Sequence, residues 1–121
     1  MEPKFSTHLL DEVSHRKREE LEAERLKIVQ EIFTALETLS EQVSFQEAYL
    51  FGSVIRPYAF SKHSDLDIGF VGLSDADFFR AAAFLSRETG REIDLLQLEH
   101  HRLGQKIKNE GLSWKKKSLL F

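Results

Sequence analysis

The chain has 121 residues and a formal net charge of −3, with 41% hydrophobic and 31% charged residues. That length suits one domain with a real core rather than two, and the slight acidity excludes general affinity for nucleic acid, which needs a surplus of Lys and Arg. There is no cysteine, so disulfides and thiolate zinc sites are excluded, and no apolar run approaches the roughly 20 residues that cross a bilayer.

The first element is helical. Leu26, Val29, Ile32 with Phe33, Leu36 and Leu39 recur at spacings of three and four, which stacks them on one face. The pattern extends from Ser6 to Leu39, longer than the roughly 8–20 residues of a usual globular helix. The stretch from His15 to Glu24 is mostly charged, so a break, or a partner for the exposed part, is expected there. On this reading residues 1–25 are an N-terminal helical extension and 26–121 the domain proper. The start, Met1–Glu2–Pro3–Lys4, leads into no signal-peptide core, and the expected location is the cytoplasm.

Ala48 to Phe51 reads as a short buried strand that ends at Gly52–Ser53, after which a short helix opens. Leu66 to Val71 is a second strand, whose period of two puts Asp65 and Asp67 on one face and Leu66 and Ile68 on the other. Ser74 with Asp77 three positions on is a capping pair that opens a helix lined by Phe78, Ala82 and Leu85, with Gly90 at the C′ position. Glu92 to Leu98 is a third strand. A last helix holds Leu103 and Ile107 and stops at Gly111, after which Leu112–Ser113–Trp114 pairs at a sheet edge. The expected fold class is α/β (α+β): a small mixed sheet flanked by helices, which the element order places on one side, with a long N-terminal helix.

Three features of this layout carry chemistry. Gly52 lets the backbone approach a phosphate in a conformation that a Cβ forbids; Ser53 adds a hydroxyl, and the amides of the following turn favour an anion. Asp65 and Asp67 share a face, so their oxygens can share a hard cation such as Mg²⁺; without it the carboxylates repel and one takes up a proton. Asp94 interrupts an apolar strand, where an unpaired carboxylate is costly. If that strand lies beside the Asp pair, the third carboxylate completes a two-metal site, or takes a proton itself as general base. A phosphate cradle, a metal pair and a further carboxylate are the parts needed to move a nucleotide from a nucleoside triphosphate. Arg56 lies within reach of a phosphate or in a surface ion pair, and Lys62 and His63 precede the Asp pair in a loop. His100 and His101 are adjacent, a poor metal pair; Trp114 reads as packing, and Lys115–Lys116–Lys117 as a solvated tail.

Phe51–Gly52–Ser53, Ser64–Asp65–Leu66–Asp67–Ile68 and Glu92–Ile93–Asp94–Leu95, in that order, resemble the minimal nucleotidyltransferases of the DNA polymerase beta superfamily. The likeness runs from about Leu26 to Trp114 and includes Glu110–Gly111 before a short strand. It implies a polymerase-beta-type nucleotidyltransferase fold that uses ATP and Mg²⁺, two ions in all. Gly52 and Ser53, with Arg56, would hold the triphosphate; Asp65, Asp67 and Asp94 would be both metal ligands and catalytic carboxylates. Eleven residues separate Ser53 from Asp65 where the family pattern has ten, and Pro57 follows Arg56 where the family has Gly. Both departures fall in the loop, where one inserted residue is tolerated, and they bear on Arg56 more than on the three carboxylates.

Stand-alone members of the family resemble antitoxins that silence HEPN-type ribonuclease toxins by transferring AMP to a toxin tyrosine. A catalytic core of this length is expected to meet an acceptor that brings its own binding surface, as a folded protein in a hetero-oligomer does. The apolar stripe of the first helix and the Leu112–Trp114 edge are the expected docking surfaces. Two other readings stay open: an antitoxin that blocks its toxin by binding alone, and a nucleotidyltransferase acting on a small molecule such as an antibiotic.

Overall fold

In a computed structural model the protein is described over residues 4–61 and 63–116, with side chains described from residue 10 onward. Helix α1, Lys4–Ser40, runs without a break. It contains neither Gly nor Pro and is rich in Glu, Leu, Lys and Arg, so nothing in the backbone interrupts it. Its buried face is Ile28, Ile32, Ala35, Leu36 and Leu39, with Val29 and Phe33 at the margin. Leu26, expected on this stripe, is instead 52% exposed. Two residues before Ile28, it sits about 200° around the helix, so the rotation that buries Ile28 turns Leu26 outward.

Four strands follow: β1 Glu47–Phe51, β2 Leu66–Val71, β3 Ile93–Gln97 and β4 Leu112–Lys115. They form one mixed sheet in the order β3-β2-β1-β4, with β1 antiparallel to both β2 and β4, and β2 parallel to β3. The parallel pair needs a crossover, supplied by α2, Asp75–Thr89. Ser74 Oγ caps α2 by accepting from the Asp77 amide at 3.3 Å, and Gly90 ends it at φ 68°. Ala81, Phe84 and Leu85 form its buried face, with Phe78 packed beside them and Ala82 only half-buried. Strand β3 is one residue shorter at each end than expected, because Leu98 already belongs to a 3-10 turn, Leu98–His100.

The sheet is covered on both faces, which corrects the expectation of helices on one side. Helices α1 and α2 pack on Leu50, Leu66, Ile68 and Phe70. Helix α3, Gly104–Glu110, covers the reverse face, where Tyr49, Leu98 and Ile107 form a second cluster with Phe51, Val71 and Leu96. Strand β1 is the reason: it alternates apolar residues on both faces, and the reverse set needs its own cover. Leu103, expected inside this helix, is its exposed N-cap residue. His100 closes the 3-10 turn and His101 accepts from the Leu103 amide at 3.1 Å, so the two histidines shape a corner.

Of the expected docking surfaces, the α1 stripe from Ile28 to Leu39 is buried against the sheet; at the Leu112–Trp114 edge Trp114 is buried with its ring 5.2 Å from Phe45, while Leu112 is exposed on the edge strand. Lys115 reaches Glu47 at 3.4 Å, Lys116 donates to the Ser40 carbonyl at the end of α1, and Lys117 lies outside the described residues. Among the described residues no helix is long and apolar enough to cross a membrane.

Candidate active site

At the end of β1 the chain turns through a single 3-10 turn, Gly52–Ile55. Gly52 has φ +77°, a conformation costly for any residue with a Cβ. A Cβ there would also run into the carboxylate of Asp67. The sequence assigned Gly52 to the approach of a phosphate; the structure adds that it makes room for Asp67, whose strand position lies opposite Phe51. Ser53 is half-buried, its carbonyl accepting from the Arg56 amide at 3.1 Å, and Val54 is fully buried and anchors the turn in the core.

Asp67 lies on β2 on the face opposite Leu66, Ile68 and Phe70. In the parallel register of β2 and β3 its partner is Asp94. Neighbouring strands are about 4.8 Å apart, so the two carboxylates meet. Burial raises the Asp67 carboxyl above its ordinary range, and the negative charges of Asp94 and then Asp65 raise it further. Asp65 and Asp94 are exposed, while Asp67 is half-buried between them. The three predicted carboxylates are therefore brought together.

Among the described residues, no group of three acidic or histidine side chains forms a ready-made metal cage. The donor set nonetheless suits Mg²⁺, which binds through one or two carboxylates and completes its shell with water and phosphate oxygens. Carboxylates crowded enough to raise the Asp67 carboxyl above its ordinary range are surroundings in which a hard cation is favourable.

The remaining predicted residues divide. Arg56 is exposed at the end of the turn, and its side chain makes no hydrogen bond or ion pair among the described residues. His63 is exposed and lines a cleft of about 230 Å³ with Ser64, Asp65, Gly90, Arg91 and Glu92. Lys62 lies outside the described residues.

Sequence reasoning missed the residues that hold the turn and the loop after it. Arg25 of α1 is a buried charged residue, 8% exposed. Its Nη1 donates to the Val54 carbonyl at 2.9 Å and its Nε to Glu22 Oε1 at 2.9 Å. Glu22 also accepts from the Tyr58 amide at 2.8 Å. These bonds, Arg25 first and Tyr58 second, lower the Glu22 carboxyl to about 2. Tyr58 itself sits at φ +63°, with the Arg18 guanidinium 4.8 Å from its ring. From the other side Arg91 donates to the carbonyls of Ser61 and Ser64, both at 3.3 Å, and lies 4.6 Å over Phe60. Glu22 and Arg25 stand three apart on a helix, and such pairs are common surface features. Only the start of the apolar face at Ile28 hinted that this one is covered.

No protein-family model and no curated protein matches the sequence. Solved structures resemble the chain, among them the following three. One is a toxin–antitoxin solved with AMP-PNP: the match is 22% identical, covers 70% of this chain and 74% of the other, and has a TM-score of 0.58. A second is the MntA–HpeT toxin–antitoxin in a mutant with two aspartates, two positions apart, changed to glutamate; it is 21% identical over the same shares, with a TM-score of 0.54. A third, provisionally described as a minimal nucleotidyltransferase, is 23% identical over 78% of this chain and 93% of its own, with a TM-score of 0.49. The first two likenesses establish a shared fold. The sheet order and crossover described above are those of the small mixed sheet flanked by helices that the sequence implied.

Proposed function

We propose that this chain is a Mg²⁺-dependent nucleotidyltransferase that transfers AMP from ATP to a tyrosine hydroxyl of a HEPN-type ribonuclease toxin, and so acts as its antitoxin. The observation that carries this reading is the register of β2 and β3. It sets Asp94 against Asp67, two residues from Asp65, beside a glycine turn shaped around the same carboxylate. The comparisons lend support: both structures that share the fold are toxin–antitoxins, one with an ATP analogue. The aspartates altered in the other have the spacing of Asp65 and Asp67.

In this reading Gly52 and Ser53 receive the triphosphate through the backbone amides and hydroxyl of the turn, and Asp65, Asp67 and Asp94 hold the cations. Bound Mg²⁺ supplies neutralisation of the triphosphate charge and a lower pKa for the attacking hydroxyl. The acceptor oxygen forms a bond to the α-phosphorus, the bond from that phosphorus to the bridging oxygen breaks, and pyrophosphate leaves. Asp94, the more exposed of the two facing carboxylates, accepts the hydroxyl proton. Positioning and charge stabilisation account for most of such a transfer, which is why a rigid turn beside fixed carboxylates suits it.

The test is to mix the purified chain with labelled ATP, Mg²⁺ and the toxin encoded beside it, and to measure the intact mass of each protein. A gain of one or more AMP units on the toxin, lost with Asp65→Asn, is the expected result. Tight complex formation with no mass change under any nucleotide would instead establish neutralisation by binding alone. Label on a small hydroxylated antibiotic and none on the toxin would establish the small-molecule reading.

A further inference from the structure

Arg25 and Glu22 lie on α1, far in sequence from the turn they touch, and nothing in the proposed chemistry uses them directly. Arg25 nevertheless spends a buried guanidinium on one backbone carbonyl, that of Val54, in the middle of the Gly52–Ile55 turn. Burying such a charge is unfavourable unless it is paired and its donors are used. Here Glu22 supplies the pairing and the turn supplies the remaining acceptor. Glu22 then extends the hold to the Tyr58 amide, where the chain adopts a positive φ that a tyrosine does not favour. One ion pair thus fixes two backbone points on either side of Arg56.

From this geometry we infer that Arg25 and Glu22 are positioning residues for the nucleotide: they hold the 3-10 turn in the conformation that presents Gly52 and Ser53 to the triphosphate. The inference rests on the nucleotide site proposed above and adds residues that touch neither nucleotide nor carboxylate. It gives the Glu22–Arg25 level of α1 a role in affinity beyond packing. A guanidinium suits the task because its planar fork serves Glu22 and the Val54 carbonyl at once, whereas a lysine ammonium cannot reproduce both bonds from one position. A freed turn would still fold around the buried Val54, but it would sample conformations that do not fit a phosphate, which lowers apparent affinity by the competent fraction.

Calorimetric titration of the full chain with Mg–ATP separates this role from a merely structural one. If the pair positions the turn, Arg25→Lys weakens the dissociation constant about ten-fold and Glu22→Gln by a smaller factor, with the binding stoichiometry unchanged. If the pair only supports the fold, the variants lose stoichiometry through unfolded protein and the remaining molecules bind with wild-type affinity. That second outcome overturns the inference, as does unchanged affinity at unchanged stoichiometry. Circular dichroism on the same samples reports whether they are folded. If Arg25→Lys does not fold, Glu22→Gln alone decides, because its amide oxygen can still accept from Arg25 Nε and the Tyr58 amide while the charge and the acceptor for Arg25 Nη2 are lost. A wild-type chain that takes up no Mg–ATP at all defeats the proposed function first, and the positioning role falls with it.

Discussion

The carboxylate end of the sheet and the α1 side of the glycine turn lie on either side of the same four residues, and they handle charge in opposite ways. At the carboxylate end the register of β2 and β3 brings like charges together: Asp67 against Asp94, with Asp65 nearby, and the Asp67 carboxyl is raised by burial and by both neighbours. On the α1 side every charge has an answer. Arg25 meets Glu22 and a carbonyl, and Glu22 meets Arg25 and an amide and is held down at about 2. One region keeps an electrostatic conflict that a bound cation would relieve; the other is a satisfied network that fixes backbone. The comparison teaches where to look for ligand and where for scaffold: like charges held together are where a cation would be favourable, and a satisfied network is what fixes the turn beside them.

The largest expected effect lies in the conflicted region. Asp67→Asn or Asp94→Asn should lower AMP transfer by at least about 1,000-fold, the scale of losing one member of a group that acts as a unit. The same changes should leave the thermal midpoint of the metal-free protein unchanged or raised, because they remove repulsion. A variant with Asn at both positions that transfers at the wild-type rate would defeat the assignment. Loss of activity together with collapse of the fold would show instead that the carboxylates are structural, and would erase the contrast between the two regions.

Next in size is a pair of glycine substitutions that separates backbone conformation from the carboxylate's demand for space. Gly52 and Gly90 have similar positive φ values, +77° and +68°, but a Cβ at Gly90 meets nothing within 4 Å, whereas at Gly52 it meets Asp67. Gly90→Ala should cost about 1–2 kcal/mol in urea titrations, the left-handed penalty alone. Gly52→Ala should cost more and should also weaken Mg–ATP binding, and Gly52→Val should abolish it. Equal costs at the two positions would mean that Asp67 moves aside freely and that the turn is not shaped around it.

These contrasts also show what was legible in the chain. The motif around Gly52, the alternation at Leu66–Val71 and the odd Asp94 in an apolar run are local patterns, and each landed on its element because a strand's period of two is readable over a few residues. Ser74 and Gly90 were equally readable, since caps are written in adjacent residues. The rotation of α1 was not, because Leu26 and Ile28 are equally apolar and only packing against the sheet chooses between them. The position of α3 required knowing that β1 buries both faces. Glu22, Arg25 and Arg91 were invisible for a different reason: their partners are backbone atoms some 27–36 residues away, and backbone has no sequence signature.

A smaller effect tests whether the satisfied frame extends to the far side of the loop. Arg91→Met removes a cation over Phe60 and two long hydrogen bonds to Ser61 and Ser64, and should cost about 1–2 kcal/mol in urea titrations. Arg18→Met, which removes an exposed cation over Tyr58, should cost about 0.5 kcal/mol. Equal losses would show that neither arginine is part of a buried frame.

The smallest effect, and the one that sets the two regions most directly against each other, is the sign of their response to pH in metal-free protein. Glu22 is lowered from 4.5 to about 2 on folding. Between those values the unfolded chain binds the proton and the folded chain does not, so stability is present above about 4.5 and is lost as pH falls toward 2. Asp67 is raised above 3.8 on folding. In the window above 3.8 the folded chain holds the proton and the unfolded chain has released it, so stability falls as pH rises through that window. Thermal midpoints measured from pH 2.5 to 7 in chelator should therefore show Glu22→Gln flattening the acid limb. Asp67→Asn should remove a decline on the side of rising pH. Only the slopes matter, since either substitution also shifts the whole curve. If both variants alter the same limb in the same direction, the two regions do not differ in the way their geometry implies. Adding Mg²⁺ to the wild type should cancel the decline assigned to Asp67 and leave the Glu22 limb in place, because a cation at the carboxylates favours their ionised form while the α1 network has no anion left to offer it.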